Sequence, residues 1–100
     1  MKNLKHVEQL MMLPKRQSNA NYDTAYNKMV EQFEFIDNLF KTSHCEILNT
    51  LYNLKDRTYT YVGIAMMLHM SDNALRRNRE LYAKGFMYCL QKIQTNIDVA

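Results

Sequence analysis

Glycine and proline are scarce in this sequence, with two Gly and one Pro among 100 residues. A sheet protein needs a tight turn about every eight to twelve residues, and those turns draw mainly on these two residue types. The eight Met residues favour helices instead, because an unbranched side chain loses little rotamer freedom there. We therefore expect an all-α fold of four or five helices. One hundred residues is the length of a single domain, and 47% of hydrophobic residues is enough to bury one core, so we expect no second domain.

Cysteine and metal-ligand patterns are also sparse. Cys45 and Cys89 are too few for a disulfide framework or a paired zinc motif. The three histidines, His6, His44 and His69, have spacings that match no common zinc signature. No Gly-rich phosphate loop is present, the acidic residues are dispersed, and no nucleophile and base can be argued to meet. We therefore expect no metal, no cofactor and no enzyme activity.

Long apolar runs are missing as well. The longest, residues 62–68, is too short to cross a bilayer. Near the N-terminus the apolar run at residues 10–13 stops at Pro14, far short of the core of a secretion signal. We expect a cytoplasmic protein with reduced thiols and no membrane contact.

The net charge of +3 is small but unevenly distributed. Residues 1–54 hold six Lys/Arg and six Asp/Glu, whereas residues 55–100 hold seven and four, so the second part carries the whole excess. Contact with a polyanion such as DNA would explain this asymmetry. A solvated basic face is the commoner explanation of so small an excess, so charge alone does not establish a polyanionic partner.

The hydrophobic pattern divides the single domain into four segments. Residues 1–21 contain a short amphipathic helix ended by Pro14 and then a polar linker, and residues 22–54 contain two scaffold helices. Residues 55–84 form a helix-turn-helix, and residues 85–100 form a helical extension. Gly85 leaves open whether the helix before it continues or breaks.

The scaffold helices have the clearest periodicity. In the first, apolar residues recur every three or four positions over residues 22–40, which predicts about five turns with one buried face. The second begins after Thr42 or Ser43, with Glu46 placed three residues after Ser43 as in a capping box. The apolar positions of the first helix are Tyr22, Ala25, Tyr26, Met29, Val30, Phe33, Ile36 and Phe40.

The helix-turn-helix pattern follows a polar break. Thr60 can cap a short helix over residues 61–68, and after a turn of about three residues Ser71 can cap a second helix beginning at Asp72. Two helices joined so tightly must cross steeply, and the small Ala65 lies where they approach. The residues predicted to hold the two helices together are Ile64, Ala65, Leu68, Met70 and Leu75.

One side of the second helix is chemically suited to contact DNA. Arginine pairs with guanine O6 and N7 in the major groove, asparagine pairs similarly with adenine, and a carboxylate can accept from cytosine N4. Basic side chains and helix N-termini suit phosphates. The candidate base contacts are Asp72, Asn73, Arg76, Arg77 and Glu80, and the candidate phosphate contacts are Lys55, Arg57, Thr60, Ser71, Arg79 and Lys84.

Residues 44–84 resemble the fourth region of bacterial sigma factors, and the small phage transcriptional regulators built on it, such as the RinA and ArpU groups. The resemblance rests on Ile47-Leu48, Tyr52, the run from Thr60 to Ser71, and Leu75-Arg76-Arg77. It implies a helical DNA-binding domain with Asn73, Arg76 and Arg77 in recognition positions. His69 replaces the usual turn Gly, and Asn78 replaces an apolar residue, which favours the phage-type regulators.

Two classes of function remain open from the sequence. The first is a sequence-specific transcriptional regulator that binds double-stranded DNA. The second is a small protein-interaction module that binds and modulates RNA polymerase or another regulator. Assembly is also open: the apolar surfaces of residues 22–40 and 86–97 either bury each other, or stay partly exposed around Phe35, Leu39 and Leu90 and form a homodimer.

Overall fold

The computed structural model describes residues 3–53 and 59–99, with side chains of the last helix described as far as residue 95. The described residues form six helices and no strand, so the predicted all-α fold is confirmed. No helix among them is both long and apolar enough to cross a membrane. The helices are α1 (Leu4–Met11), α2 (Leu13–Gln17), α3 (Ala20–Phe40), α4 (His44–Tyr52), α5 (Tyr61–Met67) and α6 (Asp72–Val99).

The two longest helices, α3 and α6, pack against each other at the centre of the fold. They run antiparallel, since Phe33 contacts Tyr82 with ring centroids 5.1 Å apart, whereas the earlier Tyr22 contacts the later Phe86 at 6.4 Å. Helix α6 continues through Gly85 without a break. A Cβ at Gly85 would lie 3.3 Å from Met29 Cγ, so the missing side chain permits this close approach.

The predicted apolar face of α3 is confirmed from Tyr22 to Ile36, where its residues are buried or packed against the core, and is wrong at Phe40. Ala25, Tyr26, Met29 and Phe33 are buried. Phe40, predicted to be part of this face, is 68% exposed, because α3 extends beyond the helices that cover it. The face therefore ends before the last turn of the helix.

The surface predicted for a homodimer is only partly present. Phe35 and Leu39 are exposed, but Leu90 is buried at 4% exposure. Leu90 lies on α6, whose apolar side is buried in the same core as α3. For this part of the chain, the two apolar surfaces cover each other within one protomer.

The segment predicted as a polar linker contains a further short helix. Pro14 lies in the first turn of α2, where its missing N–H costs no hydrogen bond, so it separates α1 from α2 without ending helical structure. The Asn19 side chain then caps α3, accepting hydrogen bonds from the backbone N–H groups of Asn21 and Tyr22. The prediction of a linker at residues 15–21 was therefore wrong at residues 15–17 and 20–21.

Arg16 of α2 explains why this segment is ordered. Its side chain is buried, its guanidinium lies 3.5 Å from the centroid of the Tyr26 ring, and it donates a hydrogen bond to Asn53 Oδ1. An ion pair with Asp23 at 3.6 Å adds a partial counter-charge. Burial lowers the pKa of Arg16, and Tyr26 and Asp23 oppose that shift. These contacts attach α2 to α3 and to the end of α4.

Helix α4 begins without the predicted capping box. The Ser43 side chain makes no capping hydrogen bond to the part of the chain that the structure describes. Asp37 of α3 caps the helix instead, accepting from the backbone N–H groups of His44 at 2.8 Å and Cys45 at 2.9 Å, and from the Thr42 hydroxyl at 2.6 Å. Partial desolvation would raise the pKa of Asp37, but these hydrogen bonds outweigh it and lower the pKa to about 2.

Candidate nucleic-acid interface

Helix α5 begins with the predicted cap. The Thr60 hydroxyl oxygen accepts a hydrogen bond from the backbone N–H of Gly63 at 3.1 Å. The helix ends at Met67, one residue earlier than predicted, with Leu68 as its C-cap. Its buried side consists of Ile64 and Ala65, which are almost completely inaccessible to solvent.

The turn after α5 depends on a left-handed histidine. His69 has φ 55°, its N–H donates to the carbonyl of Met66, and the N–H of Met70 donates to the carbonyl of Ala65. These two hydrogen bonds form a Schellman motif, in which the left-handed position is usually glycine. His69 thus occupies the glycine position of the turn at some cost in backbone strain.

Helix α6 then begins at Asp72 with the second predicted cap. The Ser71 hydroxyl oxygen accepts from the backbone N–H of Ala74 at 3.1 Å. Leu75 is 2% exposed, and Leu68 and Met70 are partly buried against the same core. The five residues predicted to hold α5 and α6 together therefore all contribute to the core.

Most of the predicted DNA-contacting side chains lie at the surface. Arg76 is 65% exposed and its Nε lies 3.5 Å from Oε1 of the half-buried Glu80. This ion pair restrains the arginine without covering it. Lys55 and Arg57 lie outside the described residues. The other predicted contacts that are exposed are Thr60, Ser71, Asp72, Asn73, Arg77 and Lys84.

Arg79, one of the predicted phosphate contacts, does not lie at the surface. It was predicted to contact phosphate, but it is buried at 9% exposure. Its guanidinium donates to both carboxylate oxygens of Glu8, at 3.0 and 2.6 Å, and lies 3.5 Å from the centroid of the Tyr61 ring. Burial would lower the pKa of Arg79, but Glu8 outweighs it and raises the pKa. Helical periodicity assigns a side chain to one side of a helix, but it could not reveal a carboxylate partner 71 residues earlier in the chain.

Glu8 is the centre of a buried polar network that connects four helices. Its carboxylate is 2% exposed and accepts hydrogen bonds from the hydroxyls of Tyr52, at 2.5 Å, and Tyr61, at 3.3 Å. Burial, followed by the charge of Glu8, raises the pKa of Tyr52 well above its usual value. Since Glu8 lies on α1, Tyr52 on α4, Tyr61 on α5 and Arg79 on α6, the network fixes the helix-turn-helix to the rest of the domain.

A cleft of about 480 Å³ opens beside this network. Its walls include Lys5 and His6 of α1 together with Tyr61 of α5 and Arg76 of α6. No sequence pattern pointed to Lys5 and His6 as part of this surface. Their outward position follows from the α1 register, in which Leu4, Val7, Glu8 and Met11 are buried, but that register does not reveal that α6 lies alongside.

The outer face of α5 is apolar and solvent-exposed. Val62 and Met66, one turn apart, are 55% and 72% exposed, and Met67 is 53% exposed. Single exposed apolar residues are common, but Val62 and Met66 lie on the same side of this short helix and together offer an apolar surface that can contact a partner.

The described residues include no group of three His, Cys, Asp or Glu that could hold a metal ion. No protein family matches the sequence, and no curated protein or solved structure is significantly similar to it.

Proposed function

We propose that this protein binds double-stranded DNA through α5 and α6, and reads the major groove with the first two turns of α6. The observation that carries the proposal is the exposure of Asn73, Arg76 and Arg77 on a helix whose start is fixed by a capped, left-handed turn. A helix-turn-helix places the start of its second helix against base edges. Together with the sigma-like sequence pattern, this supports a cytoplasmic transcriptional regulator of phage or mobile-element type.

Each exposed side chain has a distinct role in this proposal. Arg76 and Arg77 would pair with guanine and Asn73 with adenine, while Asp72 would accept from cytosine N4. Glu80, 3.5 Å from Arg76, would hold that guanidinium in position rather than contact a base itself. Phosphate contacts come from Thr60, Ser71 and Lys84, and from Lys55 and Arg57 in the preceding segment.

The test is the double substitution Arg76→Ala and Arg77→Ala, measured by fluorescence anisotropy on a duplex selected from a random library by the wild-type protein. Loss of two bidentate contacts should weaken discrimination between selected and unrelated duplex by about 1 to 3 kcal/mol each. The matched control is Lys15→Ala and Lys28→Ala, which removes two exposed charges from α2 and α3. It should retain nearly all of the discrimination.

Salt dependence provides an independent measurement. Because Arg79 is buried, the basic phosphate contacts that remain are Lys55, Arg57 and Lys84. They would neutralise about three phosphates, so the logarithm of the affinity should fall with the logarithm of the salt concentration with a slope near −3. For the first test, an Arg76→Ala and Arg77→Ala double mutant that binds the selected duplex as tightly as wild type, with an unchanged circular dichroism spectrum, would show that other residues contact the bases.

A second candidate function is favoured by the exposed apolar face of α5. We propose as the alternative that Val62, Met66 and Met67 bind RNA polymerase or another regulator, with no DNA reading by α6. A mobility-shift assay at low salt separates the two. Failure of the wild-type protein to retard any duplex would contradict DNA binding and favour this alternative.

A further inference from the structure

The first turn of α1 presents a polar, partly basic face to solvent. Leu4, Val7 and Glu8 are buried, whereas Lys5 and His6 between them are exposed. The helical repeat of 3.6 residues explains this separation. Lys5 and His6 are therefore held on a helix that is anchored by its other side.

The pairing of Glu8 with Arg79 also determines which part of α6 lies near Lys5 and His6. Glu8 pairs with Arg79, and Arg79 follows Arg76 by about one turn of α6. As a result, Lys5 and His6 line the same cleft as Arg76. The described residues that line this cleft carry no carboxylate, but Glu8 and Glu80, which pair with Arg79 and Arg76, lie next to it and offset part of its positive charge. Helices α1 and α6, from opposite ends of the chain, thus both contribute basic side chains to this cleft.

Such a surface suits the phosphate backbone of DNA. The major groove that receives a recognition helix is about 12 Å wide and is bordered by both phosphate strands, so elements beside that helix meet phosphates. We propose, on the basis of the function proposed above, that Lys5 and His6 contact the phosphate strand next to the bases read by Arg76. Arg79, which was expected to contact phosphate, instead holds α1 so that Lys5 can do so.

The experiment compares Lys5→Ala with Lys28→Ala in the full chain. Both residues are exposed and helical, and each substitution removes one positive charge, so the control matches the change in net charge. The probe is a fluorescent duplex of about 24 base pairs with arbitrary sequence, because phosphate contacts are sequence-independent. Affinity is measured by anisotropy at several salt concentrations.

We expect Lys5→Ala to weaken binding about three- to tenfold and to reduce the magnitude of the log-log salt slope by about one. The double substitution Lys5→Ala and His6→Ala should weaken it further, and Lys28→Ala should leave both quantities nearly unchanged. If wild type binds but Lys5→Ala behaves as Lys28→Ala does, the α1 contact is refuted and the proposed function stands. If wild type binds no duplex at low salt, both proposals are overturned.

Discussion

Replacing Glu8 by alanine should strongly destabilise the protein. Glu8 is 2% exposed and Arg79 is 9% exposed, so the substitution leaves a guanidinium in the interior without its counter-charge. It also removes the acceptor of the Tyr52 hydroxyl, on a side chain that is completely buried. Both losses act on the one cluster that connects α1, α4, α5 and α6.

The expected magnitude follows from these contacts. Breaking a buried ion pair by deleting one partner costs about 3 to 5 kcal/mol, and leaving a buried hydroxyl unpaired costs about 1 to 3 kcal/mol. The total stability of a domain is about 5 to 15 kcal/mol. Glu8→Ala should therefore remove a large part of the free energy of unfolding.

Urea unfolding followed by far-ultraviolet circular dichroism measures this loss, with the exposed neighbour Gln9→Ala as control, expected within about 0.5 kcal/mol of wild type. The double variant Glu8→Leu and Arg79→Leu should be more stable than Glu8→Ala, because it buries no unpaired charge. If Glu8→Ala does not fold, Tyr52→Phe still tests the network and should cost about 1.5 to 3 kcal/mol. A loss below about 1 kcal/mol for Glu8→Ala would refute the reasoning.

Three further predictions concern backbone and packing features. His69→Gly should raise the free energy of unfolding by about 0.5 to 1 kcal/mol, because glycine adopts φ 55° without strain. The urea midpoint should rise accordingly, and a lower midpoint would contradict a strained turn. Asp37→Ala should cost about 1 to 2 kcal/mol near neutral pH through loss of the α4 cap. Since the pKa of Asp37 in the folded protein, about 2, lies below its ordinary 3.8, the stabilisation is present above about pH 4 and is lost as pH falls towards 2. The free energies of unfolding of wild type and Asp37→Ala should therefore converge as the pH falls. A difference that stays constant with pH would argue against an ionised Asp37 cap. Gly85→Leu should cost about 1 to 3 kcal/mol by overpacking against Met29, whereas Gly85→Ala, which gains helix propensity, should be nearly neutral in the same assay.

The features that could be predicted from sequence are local ones. The all-α class, the amphipathic α3, and the caps at Thr60 and Ser71 all depend on residues within about one to five turns of each other. Periodicity and capping chemistry act over that range, so short patterns carry the information. The place of the turn between α5 and α6 belongs with them, because it follows from the helices on either side.

The features that only the tertiary structure decided involve partners far apart in the chain. Asp37 caps α4 in place of Ser43 because the chain turns back after α3 and brings the carboxylate to the new helix end. Arg79 is buried, and so does not face solvent as predicted, because it pairs with Glu8, 71 residues earlier in the chain. The same contact brings Lys5 to the cleft that Arg76 lines. Helical periodicity assigns a side chain to a face but not to a neighbour, and whether an arginine faces solvent or a buried carboxylate depends on that neighbour.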